Sequence, residues 1–168
     1  TKAVSRRVLA GGDIVADIKG VRRWTEGAYN FIDKNRKDWW ELTAGLEYFF
    51  PFETHLMVEY YHYGCGTSQQ GDHYSYNAWM RVLSGELKML GHDFLFESLD
   101  HPVADFWTLG VSSFQSLSDG SAVVTTDARW AFAQDAELWL MLAAGLGDKE
   151  DFLASSIGQG WLRLKVYF

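Results

Sequence analysis

The sequence is short of the residues that staple or punctuate small folds. Among 168 residues it holds one cysteine, Cys65, and two prolines. A single thiol excludes an intramolecular disulfide framework and a cysteine-rich zinc site. No stretch approaches the roughly 20 apolar residues of a membrane-spanning helix; the longest nearly unbroken apolar run is Leu138 to Leu146. There is no phosphate-binding glycine loop, no dinucleotide fingerprint and no H-E-x-x-H pair. His55, His62, His92 and His101 show no ligand spacing, so neither a metal nor a cofactor is expected. Positive charge is scarce: 15 Lys and Arg against 22 Asp and Glu leave a net charge of −7, which argues against general nucleic-acid binding. The segment Thr1 to Gly12 has two arginines but no apolar core of signal-peptide length. It reads as a start left by signal removal or as the start of a piece of a longer protein.

What the chain does have is apolar and aromatic surface, 48% and 16% of its residues. That excludes a disordered chain, and the length suits one domain over 1–168. The apolar residues alternate. In Trp39 to Phe50, Trp40, Leu42, Ala44, Leu46, Tyr48 and Phe50 share one parity, while Glu41, Thr43, Gly45 and Glu47 share the other. Successive strand side chains point to opposite faces, so this is a long strand with one apolar and one polar face. Similar runs lie at Glu53 to Tyr63, Ala122 to Phe132, Glu137 to Gly147 and Gly158 to Phe168, with weaker ones at Asp13 to Trp24, Gly91 to Leu99 and Asp105 to Leu117. Eight antiparallel strands are therefore expected. Thr25 to Asp38, Gly64 to Leu90 and Asp148 to Ile157 are read as long connections. Within Gly64 to Leu90, YNAWMRVLSGELKML fits either a short amphipathic helix or a strand extension. Asp148-Lys-Glu-Asp151 reads as a solvated loop tip rather than a calcium loop.

Short and long connections alternate for the most part, and aromatics gather near strand ends. The chain closes on Leu162, Leu164, Val166 and Phe168 at alternate positions. This combination predicts an up-and-down transmembrane β-barrel with its apolar face outward. Glu41, Glu47, Glu59, Asp127, Arg129, Arg163 and Lys165 would then line a mixed-charge lumen, closed by eight strands or shared with a wider barrel.

The stretches Leu90-Gly-His-Asp-Phe, His101-Pro-Val, Leu117-Ser-Asp-Gly-Ser-Ala122, Leu42-Thr-Ala-Gly-Leu-Glu-Tyr-Phe-Phe and Met57-Val-Glu-Tyr-Tyr carry a family resemblance. Over roughly 39–168 the sequence resembles the C-terminal part of Gram-negative outer-membrane porin-like barrels. The resemblance implies a wider barrel in the bacterial outer membrane and a porin-like channel or a component of a transport or export assembly. It also implies contact with outer-membrane lipid and lipopolysaccharide, and with the barrel assembly machinery. A further barrel segment or an envelope protein would be the remaining partner. The last four alternate apolar residues resemble the assembly signal of such barrels.

Two other functions compete with the channel. Asp72-His-Tyr-Ser-Tyr-Asn-Ala78 resembles a stretch of the outer-membrane lipid A deacylases, with His73 as base, Ser75 as nucleophile and Glu86 as the nearest downstream carboxylate. Tyr76 interrupts that stretch, and its mid-chain position departs from the family. The last alternative is a structural barrel acting through its loops.

Overall fold

Two-residue periodicity governs nearly the whole chain, and the computed structural model turns it into one antiparallel sheet. It describes residues 7–32, 38–67, 74–148, 151–154 and 158–167. The strands are β1 (Arg7–Ile18), β2 (Val21–Ile32), β3 (Trp39–Phe49), β4 (His55–Tyr63), β5 (Asp93–Ala104), β6 (Trp107–Ser116), β7 (Ala122–Ala133), β8 (Ala136–Leu146) and β9 (Gln159–Val166). One helix, α1 (Tyr76–Leu83), lies between β4 and β5. Each strand pairs with its neighbours in sequence, in the order β1 through β9.

That order has two ends. Among the described residues β1 pairs only with β2, and β9 only with β8, so the sheet is open. This corrects the expected fold class: the protein is all-β and antiparallel but is not a closed transmembrane barrel. An open edge in hydrocarbon leaves peptide groups without partners at several kcal/mol each. The porin-like resemblance therefore fails as a guide to the fold. With it fall the channel or transport function, the barrel-bound deacylase and the structural barrel. Integral outer-membrane placement falls too, together with the expected partners: membrane lipid, lipopolysaccharide, the assembly machinery and a further barrel segment or envelope protein.

The strand count also changes from eight to nine. The weak run Asp13 to Trp24 is two strands meeting at Lys19-Gly20, where Ile18 faces Val21. Both turn residues have positive φ, 54° and 78°, the geometry of a tight hairpin whose twist matches its strands. The Asp17 carboxylate accepts the Gly20 amide at 3.1 Å and fixes the turn. β2 then runs through most of what reads as a loop. Its alternation is diluted because Arg23, Thr25 and Gly27 share a face with Val21, Tyr29 and Phe31.

Register sorts the side chains onto two faces. Leu46, Val58, Glu97, Ser113, Val124 and Ala144 lie in one row, and the mainly apolar face they belong to is largely exposed. The other face carries the mixed charge. Its fully buried core lies at the end where the long connections gather. There Tyr74, Ala78 and Leu90 pack with Trp79, Val82 and Phe152. Phe152 bridges Trp79 of α1 and Phe94 of β5, with ring centres 6.1 and 6.3 Å away. Phe94 stacks on Phe114 at 5.5 Å. Asp119 ties the turn after β6 to this cluster: it accepts the Phe152 amide at 3.1 Å and the Ser121 hydroxyl at 2.7 Å. The 64–92 connection thus holds a helix rather than a strand extension, started by Ser75, whose hydroxyl accepts the Ala78 amide.

Close packing around Trp24 on the charged face depends on a glycine. A Cβ on Gly45 would meet the Trp24 ring at 2.3 Å. The indole crosses that position so that its N–H donates to Glu59 at 2.8 Å. Gly45→Val therefore expels Trp24 and breaks this bond. We expect a loss of about 1–3 kcal/mol in urea unfolding, with quenched and red-shifted tryptophan emission in the folded state.

Candidate functional site

Because β3 lies between β2 and β4, Glu41 sits opposite Ala28 on one side and Tyr63 on the other. Donors converge on it from four segments. Lys88 Nζ lies at 2.6 Å and the Tyr61 hydroxyl at 2.8 Å from Oε2; Trp39 Nε1 at 3.2 Å and Asn30 Nδ2 at 3.3 Å reach Oε1. Arg7 extends the cluster to β1: its Nε donates to Asn30 Oδ1 at 2.7 Å, and its guanidinium lies 3.6 Å from Glu41. Burial by itself raises the Glu41 pKa. The bonds from Lys88, Tyr61 and Trp39 outweigh it and hold the carboxyl below its ordinary range. Tyr61 moves the other way, pushed up by burial and then by its bond to Glu41. A carboxylate with this many donors stays ionised and is a poor proton acceptor; its role here is to tie β1, β2, β3, β4 and the 84–92 segment together.

The other predicted lining residues are placed on the same face but in separate local groups. Glu47 accepts from Arg22 at 2.6 Å and lies 3.3 Å from His55. Glu59 holds Trp24. Arg129 bonds Asp127 at 2.8 Å and also Asp100. Gly110 makes room between those two carboxylates, since a Cβ there would meet Asp127 at 2.3 Å and Asp100 at 2.8 Å. Burial raises the Asp127 carboxyl. Lys165 lies 3.8 Å from Glu137 and 4.7 Å over the Trp139 ring. Arg163 faces Trp139 across the β8–β9 ladder. Leu162, Leu164 and Val166 stand on the opposite, exposed face of β9; Phe168 lies outside the described residues.

The hydrolase candidates do not form a described constellation. His73 lies outside the described residues. Ser75 is committed to capping α1, and Glu86, beyond the other end of that helix, pairs with Arg81 at 3.2 Å. Among the described residues no cluster of three metal-ligating side chains occurs.

Sequence reasoning missed one polar group on the mainly apolar face. The Tyr60 hydroxyl donates to Asp93 at 2.5 Å, and His62 Nδ1 lies 2.8 Å from the same oxygen. The bond to Asp93 pushes the Tyr60 phenol up to about 12. His62 also stacks on Trp40, with centres 4.0 Å apart. The signal was the shared parity of Tyr60 and His62, but only the β4–β5 register brings Asp93 to them.

Among the described residues the two edge strands have no strand partner on their outer sides. Ile14 and Val15 of β1 are 73% and 63% exposed, and Leu162 and Leu164 of β9 are 71% and 60% exposed. No protein family, curated protein or solved structure matches this chain.

The Glu41 cluster makes a pH prediction. Its folded-state pKa is depressed, so its stabilisation is fully present above the unfolded value of about 4.3 and is lost as pH falls through the lower folded value. Glu41→Gln should cost about 1–3 kcal/mol at neutral pH. In urea melts across the acid range, the gap between the variant and the parent chain should close as the parent carboxyl becomes protonated.

Proposed function

We propose that this chain is a non-enzymatic assembly module that works by adding β-structure to its free edges. The observation behind this reading is the strand order: it has two ends, and each edge strand presents a row of peptide groups that no described strand satisfies. Such an edge is a template for another strand, which supplies main-chain hydrogen bonds for affinity and side-chain alternation for specificity.

Two further features support it. The carboxylates of the charged face that would serve acid–base chemistry are bound to donors within the sheet, as at Glu41, Glu47 and Glu59. That arrangement rigidifies a platform rather than poising a proton. The opposite face also keeps Leu46, Leu99, Leu109, Val111, Leu140 and Leu142 exposed, more apolar surface than a chain working alone ordinarily shows.

The test is association of the whole chain followed by sedimentation and amide hydrogen exchange. The sedimentation coefficient should rise with concentration, and amides of β1, β9 or both should gain about tenfold or more protection as it does. Ile14→Lys combined with Leu164→Lys should abolish both effects without changing the far-ultraviolet circular dichroism. A monomer up to millimolar concentration, with both edges exchanging at unchanged rates, would refute the assembly reading.

A further inference from the structure

Resting on the reading that the edges are the working surface, we propose that β1 is a self-recognising edge. Two copies of this chain join antiparallel along it, with Gly12 of one copy opposite Gly12 of the other and Arg7 opposite Asp17.

The argument starts from the face assignment. Arg7, Leu9, Gly11, Asp13, Val15 and Asp17 share the charged face of the sheet; Val8, Ala10, Gly12, Ile14, Ala16 and Ile18 share the other. An isologous antiparallel pair must be complementary to itself, and directly opposite residues must lie on the same face. The Gly12-centred register meets both conditions. On the charged face Arg7 meets Asp17, Leu9 meets Val15 and Gly11 meets Asp13. On the other face Val8 meets Ala16 and Ala10 meets Ile14. Symmetry produces the Arg7–Asp17 ion pair twice, and every apolar residue of the ladder meets a small or apolar partner. Opposite charges and aliphatic pairs directly across a ladder each favour association. A register placing Arg7 opposite Asp13 also matches charge, but within the described strand it gives Ile14 and Val15, the most exposed large apolar residues of β1, no opposite residue.

The other edge does not offer this match. β9 has Arg163 and Lys165 two positions apart on one face and no carboxylate. Paired with itself, it sets basic groups near one another or leaves them unmatched. Paired with β1, it has nothing to receive Arg7. Since Asp13 and Asp17 are four positions apart, no register places both opposite a basic residue of β9.

Room for the contact is present at its centre. A Cβ on Gly12 meets nothing within 4 Å. Opposite Cα atoms in an antiparallel ladder are about 4.5–5.5 Å apart, inside the roughly 4.4–6.8 Å that a disulfide spans. Gly12→Cys, in a Cys65→Ser background to remove the free thiol, should therefore form a covalent dimer under mild oxidation. Ala10→Cys alone should not, because Ala10 faces Ile14; a mixture of Ala10→Cys and Ile14→Cys chains should.

Charge exchange provides the second arm and controls for misfolding. Asp17→Lys sets the new lysine against Arg7 of the second copy. Arg7→Glu sets the new glutamate against Asp17. Each variant alone should associate about tenfold or more weakly than the parent chain. An equimolar mixture should recover, because both opposite pairs are then of unlike charge. Failure of Gly12→Cys to cross-link, or no recovery on mixing charge variants whose far-ultraviolet circular dichroism matches the parent chain, overturns the proposal. If Leu162→Cys cross-links instead, the chain uses β9, and the assembly reading survives without this one. If neither edge cross-links and the parent chain stays monomeric, both fall.

Discussion

In an antiparallel sheet each interior strand satisfies its peptide groups on both sides, and a strand at the end of the order satisfies them on one. That constraint shapes this protein more than any side chain does. From β2 to β8 the ladders are continuous, apart from irregularities between Pro102 and Ala104 and between Trp130 and Ala133. The hairpin turns, the glycine clearances and the ion pairs all keep neighbouring strands in one register. Among the described residues none of them reaches from β9 back to β1. The unsatisfied groups are thus concentrated at two edges, where water or another strand must meet them.

The side chains divide the remaining work between the ends of the sheet. At the long-connection end, a small hydrophobic core under α1 and Phe152 excludes water from Phe94 and Leu90. Asp119 holds that core to the sheet through the Ser121 hydroxyl and the Phe152 amide, and its bonds overcome burial to keep the carboxyl below its ordinary range. Toward the short-turn end the charged face relies on local pairs such as Arg22 with Glu47 and Arg129 with Asp100 and Asp127. Exposed pairs contribute little individually. Their larger effect is on register, because a slip of one residue would carry every charge to the apolar face.

This division explains which parts of the structure were legible in the sequence. β3, β4, β7, β8 and β9 alternate strongly, and their faces can be assigned from parity alone. β1 and β2 are harder to read, because Gly11, Gly12, Gly27, Arg23 and Thr25 flatten the contrast between faces. The helix is one of two readings of its segment, and the sequence offers Ser75 as a nucleophile only under the competing deacylase reading, whereas in the structure it caps the helix. Closure was not legible at all. A period of two states which face a residue occupies, and that alternation is the same in a barrel and in an open sheet. Whether the last strand meets the first depends on twist and curvature accumulated over the whole order, which no local window contains. The Glu41 cluster shows the same limit: parity put Glu41 on the right face, but its donors come from residues 7, 30, 39, 61 and 88, joined only by register.

Charged residues on an edge strand ordinarily prevent pairing. On β1 they are confined to one face and spaced so that opposite signs stand toward opposite ends, Arg7 near its start and Asp17 near its end. A strand without that spacing would bring like charges together or leave a carboxylate against an apolar neighbour, and would be rejected. The same residues thus work both ways: they raise the cost of indiscriminate edge-to-edge aggregation and lower it for one register. Arg7 is held in place from within, through Asn30 and Glu41, and Asp17 through the Gly20 amide. These bonds draw both side chains toward β2 and the turn, so an Arg7–Asp17 pair between copies must share or replace them, and that cost falls on any register that lacks the match.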